Sequence, residues 1–170
     1  GSNIYYTLML KPDFNADCAP MLTLVMALAV AKGIRQTLGR GSEEGAAKVG
    51  IKWPNDIVVD GKKVCGILTE MSMEQAYIHH IVIGVGINVR RQEFPEEIRD
   101  RAAAIEEQCG FRISRSQLIA DIIEAFEEDY EIFLQTHDLK RLRDSYEKLL
   151  VNRDREVCVL DPKGEYRGIA

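Results

Sequence analysis

Lys63, Asp56 and Asn55 are the residues whose types and spacing best suit chemistry on an anion. Asn55 and Asp56 close the run Lys52-Trp53-Pro54-Asn55-Asp56, which holds the only tryptophan, and Lys63 and Gly66 follow shortly after. A fixed ammonium beside a carboxylate and an amide, carried on a rigid sheet edge, suits a phosphate-bearing ligand. The plain alternative is a proline-bent hairpin with solvated charges. A second constellation is Gly84-Val85-Gly86-Ile87-Asn88-Val89. Along a strand, Gly84, Gly86 and Asn88 share one face, and the three aliphatic residues share the other. Glycine weakens a strand interior, so it marks a place where a ligand or another backbone comes close. A flat ligand could lie on that bare face, with Asn88 at its edge. The alternative is a close helix–sheet contact. A dinucleotide fingerprint is excluded, because the third glycine is missing and no helix follows.

Several elements must hold these residues. Val49 to Trp53 reads as a strand, and Ile57-Val58-Val59 is apolar and β-branched. Asp60-Gly61 is a type I′ hairpin signal, which predicts Val64 to Glu70 as the return strand and Lys63 beside the turn. Ile4 to Leu10 and Tyr77 to Val85 are further β runs, with Met71 to Tyr77 a short connection. Pro20 to Leu38 reads as a helix capped by Asp17 and ended by Gly39. Its apolar run is too short to span a membrane. Arg40 to Gly50 reads as a loop, and Gly39-Arg40-Gly41 within it is given no function. Pro95 opens a helix to about Cys109. Ser114 or Ser116 caps a longer one through Thr136, with Leu118, Ile122, Phe126 and Phe133 at helical spacing. Its acidic side (Glu124, Glu127, Glu128, Asp129, Glu131) reads as solvated surface. Asp138 opens a shorter helix through Leu150. Glu156 to Leu160 and Glu165 to Ala170 form a hairpin about the turn Asp161 to Gly164. A lone hairpin is marginal, so it reads as the start of a small β domain.

A chain of 170 residues with 46% hydrophobic and 29% charged residues is folded rather than disordered. A net charge of -5 argues against non-specific nucleic-acid binding by this portion. Cys18, Cys65, Cys109 and Cys158 are scattered and predict reduced, buried thiols in a cytoplasmic protein. His79 and His80 are expected on opposite faces of a strand, unable to share a metal. Gly1-Ser2 is read as a cleavage scar.

Lys-Trp-Pro-Asn-Asp (52–56), the segment from Gly61 to Glu70 with its Lys63-x-x-Gly66-Ile67-Leu68 core, and Gly84-x-Gly86-x-Asn88 together resemble the central block of the biotin protein ligases. Order and spacing match throughout, and the resemblance extends more weakly over nearly the whole chain. It implies an α/β (α+β) fold: a mixed β-sheet packed by helices, as in class II aminoacyl-tRNA synthetases and biotin ligases. Residues 3–151 would be catalytic core, and 152–170 the beginning of a C-terminal SH3-like β domain. It implies that biotin and Mg2+-ATP give biotinyl-5′-AMP, whose biotin passes to a lysine of a biotin carboxyl carrier protein. In that resemblance Lys63 and Asp56 are catalytic. Trp53, Asn55, Lys63, Gly66, Leu68, Gly84, Gly86 and Asn88 bind biotin or the adenylate. No protein cluster binds metal, and Mg2+ arrives with ATP near Asn88. A homodimer without membrane contact is implied, and DNA binding only through a winged-helix domain outside these residues. The family's Ser/Thr-Asn element and Gly-Arg-Gly-x-x-Gly-Arg loop would precede Ile4 and do not occur here. Some relatives carry an adenine-covering tryptophan at a position that falls near Ala103. The alternatives are a non-catalytic ligand-binding or regulatory fragment and a lipoate-ligase-like adenylating enzyme.

Overall fold

The structure, a computed structural model, describes residues 1–74, 77–161 and 164–170, with the side chains of 160 and 161 excepted. Five strands form one sheet: β1 (Ile4–Leu10), β2 (Val49–Lys52), β3 (Asp56–Val59), β4 (Lys62–Glu74) and β5 (Tyr77–Ile87), in the spatial order β1-β5-β4-β3-β2. Alternation decides the two faces. Ile81, Ile83, Val85 and Ile87 of β5 are buried, while Gly84 and Gly86 between them point the other way. The buried face carries helix α1 (Met21–Gly39), on which α4 (Arg115–Thr136) packs in turn. Between these helices Gly33 lets the backbones approach, since a Cβ there would lie 2.5 Å from Ile122 Cγ1 and 2.9 Å from its Cα. The segment Ala16–Gly39 is long and apolar enough by composition to cross a membrane, but here it is a packed core helix.

Every pair of neighbouring strands is antiparallel, so the expected mixed sheet is not formed. Among the described residues parallel pairing enters only as single bridges, Ile51 with Leu150 and Lys63 with Ala102. The loop expected over Arg40–Gly50 contains a short helix α2 (Glu43–Ala47), capped by the Ser42 side chain. The helix expected from Pro95 shrinks to α3 (Ile105–Cys109) behind a run of turns, ended by Gly110 at φ 77°. The one expected from Asp138 shrinks to α5 (Arg143–Glu147). Asn15, not Asp17, caps the turn before α1. Strand β4 continues through Met71–Glu74, where a connection was expected, and the rest of that connection (75–76) lies outside the described residues. The hairpin β6 (Glu156–Asp161) and β7 (Gly164–Ile169) forms as expected and stands as a separate two-stranded sheet. Residues 162–163 of its expected turn are likewise outside the described residues.

Four further expectations change. Asp129 is buried rather than solvated, and pairs with Lys32 Nζ at 2.5 Å. Cys158 is exposed, and Cys18 and Cys109 are half-buried, leaving Cys65 as the buried thiol. A register shift near Ser72 brings His79 Nδ1 within 2.8 Å of His80 Nδ1, so the two rings meet instead of facing apart. Gly1-Ser2, read as a scar without fold information, is hydrogen-bonded to the domain through its backbone: Arg90 N donates to Ser2 O at 3.1 Å, and Arg115 Nη1 to Gly1 O at 2.8 Å.

Buried polar contacts lock α1 to α4. Asp121 accepts from Thr37, Gln117 and both terminal nitrogens of Arg40, at 2.6–2.9 Å. Burial pushes its carboxyl up, but those hydrogen bonds outweigh burial and hold it below the usual carboxylate range. A depressed carboxylate stabilises the fold above its unfolded pKa, and that contribution is lost as pH falls through the folded value. Asp121→Asn should therefore lower stability at neutral pH and flatten its decline below about pH 4. Urea unfolding at several pH values checks this; an unchanged acid limb would contradict it. Gly33→Val should cost about 1–3 kcal/mol through overpacking against Ile122, read as a lower urea midpoint.

Candidate active site: a lysine on a glycine floor

Asp60 and Gly61 turn with φ 51° and 76°, as a type I′ hairpin needs. Beyond the turn, Ile57 pairs with Cys65 but Val58 pairs with Lys63, so β4 carries one extra residue, Val64. This bulge breaks the alternation. Val64 and Cys65 are both buried, and Lys63 comes out on the open face with Gly66. The backbone of Lys63 is then fixed by a crossing segment: its N–H donates to Arg101 O at 2.7 Å, and its C=O accepts from Ala103 N at 2.9 Å.

Cross-strand register lines up Tyr5, Gly86, Gly66 and Asp56 in one row, with Thr7, Gly84 and Leu68 in the next. Side chains lie along this floor where a Cβ would obstruct them. A Cβ on Gly66 would sit 3.3 Å from Lys63 Cε and Nζ, and one on Gly86 would sit 3.3 Å from the Tyr5 ring. Lys63 Nζ meets Asp56 Oδ1 at 2.5 Å, with both side chains partly open to solvent. Two hollows join here. One, of about 580 Å³, runs over Gly66, Leu68, Gly84 and Gly86. The other, of about 630 Å³, is lined by Asp56, Asn88, Gln92, Phe94, Ile98 and Arg101 among others. Lys63 and Tyr5 line both.

Asn55 is pinned to β4, because its Nδ2 donates to Ile67 O at 2.8 Å and its C=O accepts from Ile67 N at 3.0 Å. Asn88 continues from β5 and accepts from Gln92 Nε2 at 3.2 Å. Cys65 lies just behind Lys63, but burial pushes its thiol up more than Lys63 lowers it, so it stays protonated and inert.

Eight of the sequence-predicted residues are thus gathered: Lys63, Asp56, Asn55, Gly66, Leu68, Gly84, Gly86 and Asn88. Trp53 is not among them. It is 59% exposed and lines a separate apolar cavity of about 390 Å³ with Leu28, Leu142 and Tyr146. Ala103 is packed in the core, and its neighbour Ala102 lines the hollow instead. Sequence reasoning missed Asn3, Tyr5, Gln92, Phe94 and Arg101. Tyr5 was findable, since strand parity places it on the open face opposite Gly86; the others sit in irregular segments with no period. Among the described residues no three His, Cys, Asp or Glu gather as a metal site.

An antiparallel sheet with helices on one face and a lysine-centred, glycine-floored cleft on the other defines an α+β domain with a cleft suited to an anion. The chain belongs to the Biotin/lipoate A/B protein ligase family, whose model matches residues 1–88. It is 38% identical over 151 residues to the bifunctional ligase/repressor BirA of Bacillus subtilis, covering 86% of this chain and 44% of that protein. It is 29% identical over 173 residues to BirA of Escherichia coli K12, covering 99% and 51%. The chain therefore spans about half the length of these curated relatives. Apo biotin protein ligase from Aquifex aeolicus superposes with a TM-score of 0.80 at 27% identity, over 98% of this chain and 69% of that one. The same protein in complex with biotin and ATP gives 0.78, over 98% and 66%. A putative lipoate protein ligase from T. acidophilum with bound lipoic acid shares the fold alone, at 0.55 and 14% identity over 76% of this chain and 52% of that one.

Gly66→Val should push Lys63 off the floor and break its contact with Asp56, with little loss of stability because Gly66 is half-exposed. Lysine 15N–1H spectra check this; a Lys63 ammonium signal that keeps its wild-type shift would contradict it.

Proposed function

We propose that this chain is catalytic core of an ATP-dependent biotin–protein ligase, over residues 3–151, with 152–170 opening an SH3-like β domain. The observation that carries this reading is Lys63, whose ammonium stands where the two hollows meet, over glycines and beside Asp56. Joining two anions requires a cation between them. In the first step an oxygen of the biotin carboxylate attacks the α-phosphorus of ATP. A P–O bond forms, the bond to pyrophosphate breaks, and biotinyl-5′-AMP results. Lys63 offsets the repulsion between carboxylate and phosphate and stabilises the charge that develops between them. In the second step an acceptor lysine attacks the acyl carbon and AMP leaves. Asp56, released from Lys63 once an anion engages that ammonium, orients the amine and takes up its proton.

Biotin fits the hollow over Gly66, Leu68, Gly84 and Gly86, where a flat, mostly apolar group meets small residues. The nucleotide fits the other, with Asn88 at its edge. Asn55 and Trp53 serve by shaping the bend that delivers Asp56. Mg2+ would come on the ATP phosphates, because Asp56 is already paired with Lys63 and no three His, Cys, Asp or Glu gather as a metal site among the described residues. The acceptor is a biotin carboxyl carrier protein, and the enzyme works in the cytoplasm as a homodimer. The relatives' combination of ligase and repressor bears on this chain only through residues outside it. A lipoate-activating enzyme is the second reading, which the family description and the shared fold allow.

Biotin-dependent pyrophosphate release from ATP tests this. Lys63→Ala should reduce release by about a hundred- to a thousandfold with an unchanged circular dichroism spectrum. Release driven by lipoate and not by biotin would replace the first reading with the second. Near-normal turnover without the Lys63 ammonium would remove the mechanism.

A further inference from the structure

An unbroken chain of amide hydrogen bonds runs along the wall of the Asn88 hollow. The backbone N–H of Val89 donates to Asn3 Oδ1 at 3.3 Å. Asn3 Nδ2 donates to Gln92 Oε1 at 3.0 Å, and also to the Tyr5 hydroxyl at 3.3 Å. Gln92 Nε2 donates to Asn88 Oδ1 at 3.2 Å. A carboxamide can flip its oxygen and nitrogen at little steric cost, so each link alone is ambiguous. A backbone N–H cannot flip and can only donate. The Asn3 atom facing Val89 must therefore be oxygen, and the amide end of Asn3 must be the donor to Gln92. Gln92 then meets Asn3 with its oxygen and Asn88 with its nitrogen. The polarity of three side chains is set from one backbone group.

We propose that Gln92 is a positioning residue that holds Asn88 with Nδ2 towards the cavity, so that this wall reads hydrogen-bond acceptors on the nucleotide. The proposal rests on the ligase reading for the identity of the ligand and not for the relay itself. Among the described residues Asn88 Nδ2 has no partner, and Asn88 Oδ1 is already engaged by Gln92. Tyr5, which accepts from Asn3, keeps its own O–H as a donor. Asn88 Nδ2 and the Tyr5 hydroxyl thus offer donors to the nucleotide hollow, suited to ring nitrogens or phosphate oxygens, beside the carboxylates of Asp56 and Glu93 that also line it. Asn88 in this orientation turns an N–H, not an oxygen, to the cavity, so it is not itself a ligand for Mg2+.

Two near-isosteric substitutions invert the relay from different ends. In Gln92→Glu no N–H remains to face Asn88, so Asn88 turns its own Nδ2 inward and its oxygen to the cavity. In Asn3→Asp the carboxylate still accepts from Val89 but no longer donates to Gln92. Gln92 then turns its nitrogen to residue 3 and its oxygen to Asn88, and Asn88 flips again. Both variants add a negative charge to the hollow that would repel a nucleotide, so the uncharged variant separates the relay from charge repulsion. Gln92→Met breaks the relay without any charge.

The ligand-free chain is examined first by 15N–1H spectra of side-chain amides. The Asn88 amide protons should exchange freely with water in the wild type and become protected and shifted in both Gln92→Glu and Asn3→Asp. No change in either variant overturns the relay. Calorimetric titration with ATP follows. Both variants should bind about tenfold more weakly or worse, as expected for one donor replaced by an acceptor, and Gln92→Met should fall between them and the wild type. Biotin affinity should not move. A flipped Asn88 with unchanged ATP affinity overturns the claim that this amide reads the nucleotide. A wild type that binds no ATP overturns the ligase reading instead, and the amide spectra still decide the relay.

Discussion

The cleft depends on one backbone irregularity, the extra residue at Val64. In a regular strand Lys63 and Cys65 would share a face, and the ammonium would point with Cys65 into the core beneath the sheet. Burying a lysine there without a partner would cost several kcal/mol. The bulge lets Val64 and Cys65 both enter the core and turns Lys63 out over Gly66. It also ends ordinary pairing at the point where β5 stops, so the Lys63 backbone is taken up by the segment Arg101–Ala103. The cation is therefore held at both ends, by the ladder beneath it and by Asp56 beside its head group. Held in this way, it loses little freedom when an anion arrives, and such preorganisation makes a single charge effective.

The glycines complete this arrangement from the other direction. Gly66 and Gly86 are adjacent across β4 and β5, so the floor is bare for two strands' width. On the far face of the same strands Ile67, Val85 and Ile87 sit against the helical layer, where Asp121 and Asp129 are tied to α1 by Arg40 and Lys32. One strand thus does two opposite jobs by parity alone. Its odd positions anchor it rigidly, and its even positions withdraw to leave room. Strand period lets a weak sequence feature, glycine in a strand, coexist with a well-packed core.

Much of this was legible in the residues. The hairpin signal at Asp60-Gly61 placed Lys63 near the turn, and parity of the Gly84–Asn88 run placed the bare face. Those inferences rest on short-range stereochemistry, which a single sequence carries. What could not be read depends on longer range. No local pattern announces the bulge, because it arises from competition between β3, the core and the 101–103 segment for the same backbone. The turns at 96–101 look helical by composition, yet the chain there is drawn towards the Lys63 backbone and cannot complete a helix. Asp129 looks solvated until α1 presents Lys32 to it.

Trp53 shows how a residue within a recognisable motif can lie away from the cleft that its neighbours line. The strand pair β2–β3 is joined by Trp53-Pro54-Asn55, and the bend has two sides. On one side Asn55 is fastened to Ile67 by two hydrogen bonds, which sets the start of β3 and with it the position of Asp56. On the other side Trp53 lines an apolar cavity together with Leu28 of α1 and Tyr146 of α5. The Tyr146 hydroxyl in that cavity has no partner among the described residues, and burial pushes its pKa up to about 12. The motif therefore combines two functions in five residues. Lys52, Asn55 and Asp56 face the cleft, Trp53 faces the cavity beside the helices, and the two hydrogen bonds of Asn55 to Ile67 set the position of the carboxylate.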